Sequence, residues 1–215
     1  MQIRKKTDGI QFFKRFDGLD VLSGINSPTE HTYPVESDWV NAVIQFWFEE
    51  LSDADWFAKS DDIDAKIRER FLTLHEQLLR NDADGISTAR EILAAIIVLD
   101  QFSRNLFRGN PHAFAADHLA RRLANLAIEQ KFDLSMTIPE RVFLYLPFEH
   151  SENIADQKKS VALITALGNE YWTRYAIAHL EIIERFGRFP HRNAVLDRPS
   201  TPDEMEVLKD PAKSF

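Results

Sequence analysis

The sequence contains no cysteine, and this absence excludes several classes of site together. Disulfide bonds, thiolate metal sites and cysteine nucleophiles all require that residue. Glycine is also scarce, with 7 residues in a chain of 215, and none of them cluster into the loop that cradles phosphates in many nucleotide-binding proteins. We therefore expect neither a disulfide-stabilised fold nor a nucleotide-binding loop, and no cofactor is predicted.

The sequence also lacks a long apolar segment and an excess of basic residues. Its longest unbroken apolar run, Ile92 to Leu99, is far shorter than the roughly 20 residues that a membrane-spanning helix needs. The formal net charge of −8 argues against nucleic-acid binding, which relies on an exposed basic face. We therefore predict no membrane span and no nucleic-acid partner. A cytoplasmic location fits the absence of cysteine and of a secretory signal.

What the sequence does contain is a strong helical pattern with many aromatic residues. Hydrophobic residues make up 44% of the chain and include 16 Phe and 4 Trp, enough for one large core. Apolar side chains recur at steps of three and four residues, most clearly over residues 61–80, and no segment shows the alternation of a β-strand. The pattern predicts an all-α protein in which short loops make neighbouring helices antiparallel.

Capping signals divide the chain into helices. Asn110-Pro111, Thr137 to Glu140 and Thr201 to Glu204 are typical of helix starts, and Gly187 is typical of a helix end. The helices are predicted over residues 39–51, 61–80, 88–102, 110–130, 137–147, 154–167 and 170–186, with a short last helix from residue 201. Residues 1–36 show no sustained period. We predict that they form a poorly structured or loosely attached extension, followed by a single all-α domain over residues 37–215.

Three polar clusters follow the third, fifth and seventh predicted helices. Because consecutive antiparallel helices alternate in direction, these three helices should end at the same end of the bundle. The clusters supply the candidate ligand-binding residues Arg104, Asn105, Arg108, Glu149, His150, Arg188, His191, Arg192 and Asn193. Arginine and asparagine are good donors to carboxylates and phosphates, so we predict a polar pocket that binds a small anionic ligand or the acidic end of a peptide.

Two other functions stay open. An enzyme of the hydrolase or isomerase type would use Glu149, His150 or His191 as the acid or base, with arginines holding an anionic substrate. A scaffold would bind a partner protein along a groove between its helices. No HExxH sequence or Asp-rich calcium loop is present, so no metal site is predicted. The sequence does not indicate an oligomeric state.

The same polar clusters also have a purely structural interpretation. The C-terminal end of a helix carries partial negative charge and unpaired carbonyl groups, so arginine and histidine are favoured there for stability alone. Acidic and basic residues from different loops can also form ion pairs that have no ligand. Whether the clusters form a site or a structural network depends on which side chains face a common cavity.

Several motifs occur in one order along the chain: WFAKSDDIDAKIRERF, VLDQFSRN, FRGNPHAFAAD, ERVFLYLPFEHSENIADQ, FGRFPHRNAVL and TPDEMEVL. With these motifs the sequence resembles a bacterial family known as domain of unknown function 924. The resemblance covers about residues 39–215 and implies a helical fold related to the superhelical tetratricopeptide-type proteins, although no repeat of about 34 residues is evident. It supplies no established activity, so no catalytic residue is carried over. One departure is Ser103, where the family more often has proline.

Overall fold

The computed structural model describes residues 36–210, and this part of the chain is helical without a β-strand. The α-helices are α1 (Glu36–Gln45), α2 (Asp61–Arg80), α3 (Ala89–Ile96), α4 (Ser103–Leu106), α5 (Asp117–Glu129), α6 (Ile138–Glu149), α7 (Ile154–Thr165), α8 (Glu170–Phe186) and α9 (Pro202–Val207). The prediction of an all-α protein is confirmed. The tetratricopeptide-like arrangement stays a prediction, and the predicted N-terminal extension lies outside the described residues apart from Glu36.

Two helices contain wider, π-helical turns, and one of them changes the expected position of a polar cluster. Residues Phe46–Glu50 continue α1 in this way, and residues Ile97–Phe102 join α3 to α4. The third predicted helix was expected to end at residue 102, but the helical path continues to Leu106. Ser103 sits inside that path with its hydroxyl donating to the Leu99 carbonyl at 2.6 Å. Arg104 and Asn105 therefore lie on a helix and not in a loop.

Two further helix boundaries differ from the prediction. The fourth predicted helix starts at Asn110 as expected, but a 3-10 turn over Pro111–Phe114 separates that start from α5. The fifth predicted helix was expected to end near Pro147, and α6 instead continues through it to Glu149. Proline interrupts a helix by removing one N–H and by crowding the preceding turn, and this interruption is small when only two residues follow it. Glu149 is consequently buried on the last turn of α6.

The core is built around α3 and the π-helical turn that follows it. Residues 92–99 are all buried, as their unbroken apolar run requires. Helix α3 packs against α1, α5 and α6, while α7 packs against both α6 and α8. Aromatic rings fill the space between these helices: Trp47 lies edge-on to Phe102 and Phe143, with ring centroids 5.6 and 5.4 Å apart. None of the described helices is long and apolar enough to cross a membrane.

The segment after α8 is fixed to the rest of the fold by paired charges. Gly187 ends α8 in the left-handed conformation, with φ of +67°. The Glu152 carboxylate, in the loop after α6, accepts the Phe189 N–H at 2.8 Å and two Arg198 donors at 2.7 and 2.9 Å. This contact holds the 3-10 turn Pro190–Arg192 against the end of α6. The ends of α6 and α8 therefore lie together, as the antiparallel arrangement requires.

Candidate functional site

A polar pocket of about 490 Å³ lies where the loop after α6, the start of α5 and the turn after α8 meet. Its lining consists of Phe114, Asp117, His118, Arg121, His150, Ser151, Glu152, Asn153, Arg192 and Leu196. Two of the residues predicted from the sequence, His150 and Arg192, line this pocket. A second cavity of about 770 Å³ lies along α5 and is lined by none of the predicted residues.

Arg192 is the buried cation of the pocket. Arg192 is only 7% exposed. Its guanidinium lies 4.8 Å from the ring centroid of Phe114 and 4.4 Å from that of Phe189. Its Nη1 atom is 4.0 Å from Asp117, and its buried Nε atom has no hydrogen-bond partner within residues 36–210. Burial and the neighbouring Arg104 lower the pKa of Arg192 to about 10, so it remains charged at neutral pH. A buried cation that lines a polar pocket is an expected anchor for an anion.

Arg104 lies behind the pocket and has its own acidic partners. Two of its nitrogens donate to the Asp117 carboxylate at 2.8 and 3.0 Å, and a third contact goes to the Ala113 carbonyl. Its guanidinium also lies 4.7 Å from the Phe114 ring and 3.7 Å from Asp100. These contacts commit Arg104 to holding Asp117 and Phe114 in place. Arg104 therefore supports the pocket without lining it.

His150 is oriented by a carboxylate that residue types alone did not identify as part of a site. The Nδ1 atom of His150 lies 2.9 Å from both carboxylate oxygens of Asp100. Asp100 is 0% exposed, lies in the π-helical turn Ile97–Phe102, and accepts a hydrogen bond from Gln101 at 2.6 Å. Burial opposes ionisation of Asp100, but the nearby His150 and Arg104 lower its pKa to about 2. Wide helical turns of this kind recur at functional sites.

Glu149 and His179 form a second carboxyl–imidazole pair, and it is buried behind the pocket. The Oε1 atom of Glu149 lies 3.2 Å from Nδ1 of His179. Burial raises the pKa of Glu149 to about 8 and lowers the pKa of His179 to about 3, so both groups favour their uncharged forms. Because Glu149 does not line the pocket, its predicted role in ligand binding or acid–base catalysis stays a prediction.

The remaining predicted residues are used in contacts between helices. Asn105 and Arg108 both donate to Asp64 of α2, at 2.8 Å. Arg188 donates to Glu204 of α9 at 2.6 and 2.9 Å, and that carboxylate also accepts from Asn193 at 3.3 Å. These pairs match the structural interpretation of the polar clusters.

His191 lies beside the pocket residues but does not line the cavity. It is half-buried, with its ring 5.5 Å from that of Phe189, and burial together with Arg192 lowers its pKa to about 4. Within residues 36–210 no group of three or more potential metal ligands is arranged to hold a metal ion.

The pocket contains residues that the sequence did not single out: Phe114, Asp117, His118 and Arg121. All four come from one stretch that the sequence predicted as an uninterrupted helix. The 3-10 turn before α5 changes which side chains face the end of α6, and no pattern of apolar residues marks that change. The motif FRGNPHAFAAD contains Phe114 and Asp117, and it was the one feature of the sequence that could have indicated this part of the pocket.

Comparison with known proteins agrees with the motifs. The family model described as "Bacterial protein of unknown function (DUF924)" matches residues 43–212. A solved structure of a protein of unknown function, ATU0120 from Agrobacterium tumefaciens, is similar over 79% of this chain and 96% of that chain, with 40% sequence identity and a TM-score of 0.75. A search of curated proteins gives no match. The resemblance inferred from the motifs is confirmed, and the chain belongs to the bacterial DUF924 family.

Proposed function

We propose that the pocket binds a small anionic ligand, with a carboxylate or phosphate group seated on Arg192. The observation that carries this proposal is the state of the Arg192 guanidinium. It is almost fully buried, lies over the rings of Phe114 and Phe189, and belongs to a residue that lines the pocket. Hydrogen bonds from a guanidinium to a carboxylate or phosphate are charge-assisted and stronger than neutral ones, so an anion that reaches this side chain gains affinity.

The acidic residues of the pocket support this proposal because they are already paired. Both oxygens of Asp117 accept from Arg104 at 2.8 and 3.0 Å, whereas Arg192 is 4.0 Å away, beyond hydrogen-bond range. The Glu152 carboxylate accepts from Arg198 and from the backbone. Asp117 and Glu152 are thus each hydrogen-bonded to another arginine, and within residues 36–210 neither makes a hydrogen bond with Arg192.

Thermal unfolding in the presence of anions tests the proposal. Phosphate, succinate and adipate are compared with chloride at constant ionic strength. A ligand at about 100 times its Kd stabilises the folded state by about 2.7 kcal/mol, which raises Tm by several degrees in a chain of this size. We expect at least one of the three anions to raise Tm, and Arg192→Gln to abolish the increase.

The matched control is Arg185→Gln, which makes the same substitution on the exposed surface of α8, outside the pocket lining. This variant should keep the ligand-dependent increase in Tm. The proposal is wrong if none of the anions raises Tm, or if the increase survives in Arg192→Gln.

The two alternatives rest on other features. Of the acid–base candidates, His150 lines the pocket whereas Glu149 and His191 do not, so an enzyme would depend on His150. The scaffold alternative stays a prediction. A relevant observation is a row of aromatic rings in which Phe57, Tyr171 and Tyr175 are exposed and Trp172 is partly buried. Taken in the order Phe57, Trp172, Tyr171 and Tyr175, successive ring centroids are 5.4, 5.2 and 5.1 Å apart. Rows of exposed rings are a feature of protein-binding surfaces.

A further inference from the structure

We infer that the pocket hydrolyses esters of small dicarboxylic acids, with His150 as the general base and Arg192 holding the free carboxylate. This inference rests on the proposed anion site and adds a reaction to it. It starts from the observation that one pocket contains both a buried cation and an imidazole oriented by a carboxylate.

The orientation of His150 leaves one ring nitrogen for chemistry. Its Nδ1 atom faces Asp100 at 2.9 Å, and the side chain is 20% exposed at the pocket. The other nitrogen, Nε2, makes no hydrogen bond with any side chain or backbone group of residues 36–210. An imidazole held at Nδ1 by a carboxylate presents Nε2 as a proton acceptor, which is the arrangement of histidine bases in many hydrolases.

Asp100 is held firmly enough to act as a positioning residue. It is fully buried, receives a hydrogen bond from Gln101 at 2.6 Å, and lies 3.7 Å from Arg104. Arg104 also binds Asp117, which lies 4.0 Å from Arg192. One chain of charged contacts therefore connects the residue that orients the base with the residue that binds the anion.

The nucleophile in this reaction is water. Ser151 lines the pocket, but its hydroxyl donates to Asp156 at 2.7 Å and accepts the Asn153 N–H at 3.2 Å. Both contacts of the hydroxyl are therefore with residues at the start of α7. The pocket contains no cysteine or threonine, so a side chain is not available to form an acyl intermediate next to the base.

The proposed reaction is a balanced hydrolysis. Nε2 of His150 takes a proton from water as the water oxygen bonds to the ester carbonyl carbon. The bond from that carbon to the alcohol oxygen then breaks, and the departing oxygen takes the proton back from Nε2. The products are a dicarboxylic acid and an alcohol, and His150 returns to its starting state. The second carboxylate of the substrate stays on Arg192 throughout.

A pair of chromogenic esters tests this inference. One is the mono-para-nitrophenyl ester of adipic acid, and the other is para-nitrophenyl hexanoate, which has the same chain length without the carboxylate. We expect the purified protein to hydrolyse the adipate ester faster than the hexanoate ester. His150→Asn, which keeps a donor for Asp100, should lower kcat/KM for the adipate ester by about 100-fold or more.

Two further variants separate the roles of the neighbouring residues. Arg192→Gln should raise KM for the adipate ester by about 10-fold and reduce the preference for the adipate ester over the hexanoate ester. Asp100→Asn should lower kcat by about 10-fold with little change in KM, because it acts through the position of His150. The control is His112→Asn, which removes an exposed imidazole whose Nδ1 faces the Asn110 amide at 2.6 Å, outside the pocket lining. Its activity should equal that of the unchanged protein.

The outcomes distinguish this inference from the proposed function. If adipate raises Tm but hydrolysis does not depend on His150, the hydrolase inference is wrong and the anion site stands. If adipate does not raise Tm and neither ester is hydrolysed, the hydrolase inference is wrong, and the anion site stands only if phosphate or succinate raises Tm. If Asp100→Asn fails to fold, the comparison of His150→Asn with His112→Asn still decides whether His150 is the base.

Discussion

At the scale of single residues, Glu149 is a carboxyl group that the fold surrounds almost completely. Burial, with a smaller contribution from the Asp100 carboxylate, raises its pKa to about 8 from an ordinary value of 4.5. The folded protein therefore binds a proton that the unfolded chain releases between those two values, and folding loses stability as pH rises through this range. His179, His75 and His191 act in the opposite direction, because their pKa values are lowered to about 3, 4 and 4 and the unfolded chain binds the extra protons until the pH passes about 6.5.

The histidines outweigh or cancel the effect of Glu149 up to about pH 7, and Glu149 dominates above it. We therefore predict that the free energy of unfolding falls between about pH 7 and 8, by at most about 1.4 kcal/mol per pH unit. Urea unfolding at several pH values measures this slope. Glu149→Gln should remove it, whereas Glu184→Gln, an exposed position on α8, should keep it. A stability that is flat or rising over this range in the unchanged protein would contradict the prediction.

At the same scale, Gly187 ends α8 with φ of +67°, a conformation that favours glycine. A Cβ at this position meets no atom within 4 Å, so an added methyl group would clash with nothing. Its destabilising effect would come from the strained backbone conformation. Gly187→Ala should lower the free energy of unfolding by about 1–2 kcal/mol. Gly187→Asn should lower it less, because asparagine tolerates the left-handed region better than alanine does. Equal effects of the two substitutions in chemical denaturation would argue against this cause.

At the scale of elements, the ends of α6 and α8 are joined by the Glu152–Arg198 pair. Arg198 does not line the pocket, but it holds the Glu152 carboxylate, which does. Without Arg198 the freed carboxylate becomes available to Arg192 and competes with an anion for it. The contact thus has an electrostatic role in the pocket in addition to fixing the turn before Arg192.

This role predicts that Arg198→Gln weakens anion binding from outside the pocket. The Kd for the anion that most raises Tm should increase by about 10-fold, measured by isothermal titration calorimetry. Arg174→Gln, an exposed residue on α8, serves as the control and should leave Kd unchanged. An unchanged Kd in Arg198→Gln would mean that Glu152 stays in place without its partner.

The sequence predicts contacts within one helix well and contacts between helices poorly. The capping boxes at Thr137 and Thr201 form as their spacing predicts, because both partners lie within three residues of each other. The partners of Arg108 and Arg104 could not be predicted, since Asp64 and Asp117 reach them through tertiary packing. The prediction that alternate helices end together agrees with the position of His150 and Arg192 in one pocket. It could not indicate that Arg188 pairs with Glu204.

At the scale of the whole molecule, the aromatic core is the main source of stability. Phe143 is fully buried and its ring contacts those of Trp47, Phe48 and Trp56, with centroids 5.4, 5.7 and 4.9 Å away. Phe57 stacks on the same ring at 6.2 Å but is 53% exposed. The two phenylalanines differ mainly in how much apolar surface they remove from water.

This difference predicts unequal effects of truncation. Phe143→Ala should lower the free energy of unfolding by about 3–5 kcal/mol, because it leaves a cavity in the core. Phe57→Ala should lower it by about 1 kcal/mol or less, since most substitutions at exposed sites have small effects. Chemical denaturation of both variants measures the difference. Similar losses in the two variants would show that the core tolerates the cavity or that Phe57 has a larger role.

The π-helical turn Ile97–Phe102 acts as a one-residue insertion in an otherwise regular helix. Deleting one residue there would restore the α-helical hydrogen-bond pattern. It would also rotate the side chains that follow the deletion by about 100° around the helix axis relative to those that precede it. Asp100 faces His150 and Arg104 faces Asp117 only in the present phase of the helix. A more regular helix would thus separate these two contacts, and the length of this segment is itself a requirement of the pocket.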